Sequence, residues 1–116
     1  MRTTLSKAAL TIAIFAIAAL SYCSLVDAAD PAFTLTIKDY RFEPSEITVP
    51  ADQKVELVIK NLDATPEEFE SHDLNREKIV AGGSEIRLYI GPLKAGTYGF
   101  FGEFHQDTAQ GRIIAK

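Results

Sequence analysis

The chain has 116 residues, of which 47% are hydrophobic and 24% charged, and it carries 12 basic against 16 acidic side chains. The net charge of -4 argues against nucleic acid or anionic lipid as the main partner and is compatible with cations. The single cysteine, Cys23, excludes an intrachain disulfide.

The first 28 residues have the layout of a secretory signal peptide. Arg2 and Lys7 provide a positive start, residues 8–20 form an apolar run, and Val26-Asp27-Ala28 offers small residues at the spacing that a signal peptidase reads. The sequence therefore predicts cleavage after Ala28 and a periplasmic location. The mature protein is then one small domain, residues 29–116.

Two other interpretations of this segment stay open. Residues 8–26 carry no charge, which is also compatible with a retained transmembrane helix. Lipid attachment at Cys23 is disfavoured because Tyr22, a large residue, precedes it. If cleavage follows Ala28, the mature domain has no cysteine, and therefore no thiolate nucleophile or metal ligand.

Alternating apolar and polar residues predict short β-strands in the first half of the mature domain. Residues 33–38 and 54–60 alternate with period two, as half-buried strands do. Residues 46–50 form a shorter predicted strand whose neighbouring prolines suit a sheet edge. A further strand is predicted at residues 68–71, and turn-forming residues separate the strands at 40–44, 51–53 and 61–66.

The second half continues the same pattern. Residues 78–81 and 84–90 read as strands joined by a hairpin at Gly82-Gly83, and residues 111–115 form a last strand. The aromatic-rich segment that begins at Gly96 is predicted as the strand between residues 84–90 and this last strand. About seven short strands without a long amphipathic helix predict an all-β fold, an antiparallel sandwich.

Acidic and imidazole side chains gather in two of these segments. Glu68 and Glu70 share a face of one predicted strand, and Glu103 and His105 would share a face if the aromatic strand extends that far. If the two strands are neighbours, three carboxylates and one imidazole converge, and Glu77 or Asp107 could add another carboxylate. Such an oxygen-rich set suits iron or manganese better than copper(I).

The same residues also permit a plainer interpretation. Fifteen acidic residues in the mature domain make carboxylates two positions apart frequent by chance, and a solvated acidic face has the same pattern. His72 is interpreted as a surface histidine, and His105 as a ligand or a structural residue. Its position after a run of aromatic residues, at a strand end, favours a site.

The segment from Gly96 to His105, followed by Ala109-Gln110-Gly111, resembles the C-terminal part of cupredoxins. Residues 42–61 are similar to the first half of the same fold, so the resemblance implies a Greek-key β-sandwich with any metal site at one end. In that register Gly102 replaces the copper-binding cysteine and Ala109 the axial methionine, and a residue of the segment 67–70 replaces the first histidine. A type 1 blue copper centre is therefore not expected.

Residues 65–71, Glu77-Lys78 and residues 101–105 with Thr108-Ala109 resemble, more specifically, the EfeO-type cupredoxin-like proteins that accompany bacterial high-affinity iron permeases. This resemblance implies a protein of an iron-uptake system that binds an iron or copper ion and delivers it to a membrane permease. The residues carried over as metal ligands are Glu68, Glu70, Glu103 and His105.

Two alternatives accompany this hypothesis. One is a copper-dependent ferroxidase, for which the sequence lacks a cluster of histidines or thiolates able to hold copper. The other is a metal-free sandwich that docks on the permease through residues 67–77. Among the catalytic motifs considered, the sequence contains no nucleophile elbow, phosphate-binding glycine loop or His-Glu-x-x-His.

Overall fold

The computed structural model describes residues 29–116, and the predicted signal peptide, residues 1–28, lies outside the described residues. The strands are β1 (Ala32–Lys38), β2 (Arg41–Glu43), β3 (Glu46–Val49), β4 (Val55–Asn61), β5 (Glu67–Ser71), β6 (Arg76–Val80), β7 (Glu85–Ile90), β8 (Gly96–Gly102) and β9 (Gln110–Ala115). A short 3₁₀ helix, Glu103–His105, joins β8 to β9. No helical segment in residues 29–116 has the length and hydropathy of a membrane span.

The strands form two sheets, with the orders β2-β1-β4-β7 and β3-β9-β8-β5-β6. The predicted all-β sandwich is confirmed, with nine strands in the described part of the chain where about seven were expected. The expectation of purely antiparallel pairing is wrong, because β1 pairs with β4, and β3 with β9, in parallel. A parallel pair requires a crossover connection, and the chain makes one by visiting the other sheet at β3 before it returns in β4.

Two connections differ from the sequence-based prediction. The segment predicted as one turn contains β2, which forms a hairpin with β1 through Asp39 and Tyr40, both with positive φ. The hairpin predicted at Gly82-Gly83 is wrong, because β6 and β7 belong to different sheets. A Cβ on Gly82 would lie 2.1 Å from the Ala64 carbonyl oxygen. The connection from β6 to β7 therefore packs directly against the loop between β4 and β5.

Three phenylalanines fill the core beside the candidate site. Phe42, Phe69 and Phe100 are buried, with ring centroids 4.9 to 6.2 Å apart. Full burial of each ring contributes roughly 1.5–3 kcal/mol. Because Phe69 lies on β5 and Phe100 on β8, these rings anchor the two strands as antiparallel neighbours. The sequence left that neighbour relation open, and the site depends on it.

Candidate metal site

Three glutamates form a group, here called the carboxylate face, on the outer surface of the larger sheet. Buried and half-buried residues alternate along β5, so Glu68 and Glu70 point outward on either side of buried Phe69. Glu77 on β6 lies directly opposite Glu70 in the antiparallel register. One carboxylate oxygen from each of Glu68, Glu70 and Glu77 lies within 4.8 Å of the other two.

Repulsion and partial burial both disfavour ionisation on the carboxylate face. Burial, followed by the charges of Glu77 and Glu103, raises the pKa of Glu68 above its ordinary value. A hydrogen bond with the Glu103 carboxylate, followed by burial, raises the pKa of Glu70. Like charges opposite each other destabilise a sheet. A proton or a bound cation therefore stabilises this surface.

The chain changes direction before it reaches the last two predicted ligands. β8 ends at Gly102, and Glu103 and His105 lie on the 3₁₀ helix, so the two-residue period of a strand does not apply to them. The N–H of Ala109 donates to the His105 carbonyl at 2.8 Å, and the N–H of Gly102 donates to the Ala109 carbonyl at 2.9 Å. This closed turn leaves Glu103 exposed, beside Glu70.

A buried carboxylate that the sequence did not single out, Glu67, holds His105. The Glu67 side chain is 1% exposed, and its Oε2 lies 2.5 Å from His105 Nδ1. Its Oε1 accepts hydrogen bonds from the backbone N–H groups of Glu68 at 3.0 Å and Phe104 at 2.9 Å. The buried carboxylate therefore has three polar partners, which offset the cost of removing it from water.

Tyr40 lies against the His105 ring, with ring centroids 3.8 Å apart and an interplanar angle of 10°. The φ of Tyr40 is 59°, an unusual value for an aromatic residue. Two neighbours hold this conformation. The Asp63 carboxylate accepts hydrogen bonds from the N–H groups of Asp39 and Tyr40, and the Thr108 hydroxyl donates to the Tyr40 carbonyl. The His105 imidazole is thus held at its edge by Glu67 and on its face by the Tyr40 ring.

The interior copper position implied by the resemblance to cupredoxins is filled by Glu67. A Cβ on Gly102 would lie 2.6 Å from Glu67 Cδ and 2.7 Å from the Ala109 Cβ, so a side chain does not fit at Gly102. One imidazole and one carboxylate remain and contact each other, and residues 29–116 contain no cysteine or methionine that could add a sulfur ligand. A type 1 centre needs a thiolate and two imidazoles, and the residues present do not fit it.

The structure sorts the predicted ligands into two groups. Glu68 and Glu70 come together with Glu77, and Glu103 lies beside Glu70. His105 engages Glu67 through Nδ1.

Two further residues are placed at the site by the structure. His72, interpreted as a surface histidine, is 78% exposed, and its Nδ1 lies 3.9 Å from Glu70 Oε1. One signal could have identified Glu67. It lies two residues before Phe69, which faces the core, so the strand period also directs Glu67 inward.

A protein-family model described as a cupredoxin-like domain matches residues 8–115. An uncharacterised protein of Rickettsia prowazekii (strain Madrid E) is 56% identical over 80 residues. The match covers 69% of this chain and 64% of the relative, so the chain spans less than two thirds of the relative's length.

Solved structures with the same fold include several copper proteins. Auracyanin A, a blue copper protein of Chloroflexus aurantiacus, has a TM-score of 0.66 at 16% identity, covering 76% of this chain and 100% of its own. The metal-binding domain of the Cu(I)-exporting ATPase CopA of Streptococcus pneumoniae D39 has a TM-score of 0.66 at 10% identity, covering 78% and 90%. Amicyanin of Paracoccus versutus has a TM-score of 0.55 at 18% identity, covering 81% and 88%. At sequence identities this low, the structural similarity shows a shared fold and nothing more.

Proposed function

The chain belongs to the cupredoxin-like domain family, and we propose that it is a periplasmic metal-binding protein that holds a cation on its carboxylate face. Glu68, Glu70 and Glu77 are the ligands, and Glu103 supplies a fourth carboxylate at the margin. The cation is iron, which the protein presents to a membrane permease.

The convergence of the three carboxylates carries this proposal. Two oxygens bound to one cation at about 2.1 Å are roughly 3.0 Å apart in cis positions and about 4.2 Å apart in trans positions. The carboxylate oxygens of the face lie within 4.8 Å of one another, close to the larger of these separations. Oxygen ligands suit hard cations, whereas copper(I) prefers sulfur. The face therefore favours iron or manganese over copper(I).

The iron-uptake role has separate support. Residues 65–71 and 101–105 resemble EfeO-type proteins, and the first 28 residues have the composition of an export signal. Copper is the alternative cargo, because auracyanin A is described as a blue copper protein and the CopA domain was solved with Cu(I). Since Glu67 fills the interior position, a copper ion would also have to bind at the outer surface of this chain.

Titration with Fe(II) under anaerobic conditions, and with Mn(II) in parallel, tests the carboxylate face. The parent protein is expected to bind each ion saturably. The double variant Glu70→Gln/Glu77→Gln removes two facing carboxylates and is expected to lose saturable binding. In an iron-limited culture, a strain that lacks the protein should regain growth with the parent gene and not with the variant gene.

A charge-matched control distinguishes a specific metal site from nonspecific electrostatic attraction of the cation to the protein. The double variant Glu43→Gln/Glu85→Gln makes the same change in net charge at two exposed residues of the smaller sheet. It is expected to bind like the parent. If metal affinity fell equally in both double variants, binding would depend only on the net charge, and this result would contradict the proposed site.

A metal-free docking module is the second candidate function. The observation that favours it is the contact between Glu67 and His105, which closes the interior without a metal ion. In that case the segment 67–77 contacts the permease. Failure of the parent protein to bind Fe(II) or Mn(II), together with permease binding that depends on Glu70 and Glu77, would select this function.

A further inference from the structure

We propose that Asp73 is a positioning residue of the carboxylate face, and this inference rests on the proposed function. Asp73 and Ser71 bind the backbone of Gly99 through hydrogen bonds here called the Gly99 clasp. The clasp fixes the hairpin formed by β5 and β6, and it thereby holds Glu77 opposite Glu70. Asp73 acts through the position of Glu77 and does not touch the cation.

The Gly99 clasp lies where the pairing of β5 with β8 ends. The ladder between these strands has two residue pairs, Phe69 with Gly102 and Glu70 with Phe101. Two positions further, the same register would place His72 opposite Gly99. There the Ser71 hydroxyl donates to the Gly99 carbonyl at 2.7 Å, and Asp73 Oδ2 accepts a hydrogen bond from the Gly99 N–H at 2.8 Å. Two side chains thus satisfy the Gly99 groups that the backbone of His72 would otherwise pair.

The clasp also shapes the turn that joins β5 to β6. Ser71 is buried, and its hydroxyl oxygen accepts a hydrogen bond from the Leu74 N–H at 3.1 Å. The His72 carbonyl accepts the N–H of Asn75 at 3.2 Å. Asn75 has a φ of 53°, a left-handed conformation that asparagine tolerates better than most residues. Because the His72 carbonyl is bonded within the turn, the chain leaves β8 at this point and returns as β6.

The position of Glu77 needs this support. In the part of the chain that the structure describes, β6 is an edge strand of the larger sheet and is paired with β5 alone. Glu70 and Glu77 lie opposite each other in that pairing, and their like charges oppose it. At the turn end of β6, Arg76 Nε reaches the Tyr89 carbonyl at 3.3 Å, which is longer than either bond of the clasp. The Gly99 clasp is therefore the firmer attachment of the end on which Glu77 lies.

Asp73→Ala and Asp73→Asn are a matched pair of variants. Both remove one negative charge, but the asparagine side chain retains an oxygen that can accept the Gly99 N–H. In anaerobic titrations, the affinity for Mn(II) and Fe(II) should fall at least about threefold in Asp73→Ala, because loss of the bond lets β6 leave its register for part of the time. Asp73→Asn should bind within about twofold of the parent, because one exposed charge contributes little.

The metal-free, full-length protein provides a second measurement. A threefold loss of affinity corresponds to Glu77 being in place for about one third of the time. Interstrand nuclear Overhauser effects between the backbones of Glu70 and Glu77 should therefore weaken in Asp73→Ala and persist in Asp73→Asn. Ile37→Val is the control for lost stability, because deletion of one buried methyl group on β1 costs about as much as one hydrogen bond. This control should keep both the metal affinity and the interstrand signals of the parent.

The possible results separate the positioning role from the proposed function. If the parent protein binds Mn(II), equal affinity in Asp73→Ala and Asp73→Asn would overturn the positioning role alone. An equal loss in Ile37→Val and Asp73→Ala would assign the effect to overall stability and would also overturn it. A parent protein that binds neither Mn(II) nor Fe(II) would contradict the proposed function, and the positioning role with it. If Asp73→Ala does not fold, Ser71→Ala removes the other bond of the clasp, and parent affinity in that variant would overturn the proposal.

Discussion

Replacement of Gly102 by alanine measures how tightly Glu67 fills the interior end of the sandwich. The added Cβ would lie 2.6 Å from Glu67 Cδ and 2.7 Å from the Ala109 Cβ. Both neighbours resist displacement, because Glu67 is held by three polar contacts and Ala109 is buried in a closed turn. Overpacking of this kind costs about 1–3 kcal/mol. For a domain of this size, each 1 kcal/mol lowers the Tm by roughly 4–8 °C.

Urea unfolding of the variant and a matched control gives the free energy directly. Gly99→Ala is the control, because Gly99 lies on the same strand and its added Cβ would make an ordinary contact, 3.6 Å from Asp73 Oδ2. The control also cancels the effect of alanine on the unfolded chain. Gly102→Ala is expected to be less stable than Gly99→Ala by at least about 1 kcal/mol.

A double-mutant cycle identifies the cause of the loss. In a Glu67→Ala background the cost of Gly102→Ala should shrink, because one of its two close neighbours is gone, but not vanish, because the Ala109 methyl remains 2.7 Å away. If the free energies of unfolding of Gly102→Ala and Gly99→Ala differ by less than about 0.5 kcal/mol, Glu67 does not close the copper position.

Three further predictions concern stability. Glu68 and Glu70 have raised pKa values, so above pH 4.5 the folded protein binds more protons than the unfolded chain. The free energy of unfolding should therefore fall as the pH rises above 4.5, and urea midpoints measured across this range test it. Glu67→Ala leaves one imidazole and two backbone N–H groups without their acceptor, and unfolding in urea should show a loss of at least about 2 kcal/mol. Asp63→Ala removes the acceptor of two N–H groups in the turn 39–40 and should lower stability by about 1–2 kcal/mol in a thermal melt.

Local periodicity determined most of the strands. Residues 33–38 and 54–60 were predicted from alternation alone and correspond to β1 and β4, because a half-buried strand imposes that pattern. The same period placed Glu68 and Glu70 on one face before any partner strand was known. It failed at His105, because the end of β8 is set by close packing at Gly102 and not by a local signal.

Residue types and their spacing were enough to predict the β-sandwich, the absence of sulfur ligands from residues 29–116, and the pair of outward-facing glutamates. The position of Glu77 opposite Glu70, and the contact of Glu67 with an imidazole 38 residues further along the chain, depended on the folded arrangement of the strands. A side chain's direction follows from its own strand, whereas its neighbours follow from the register and order of strands distant in sequence.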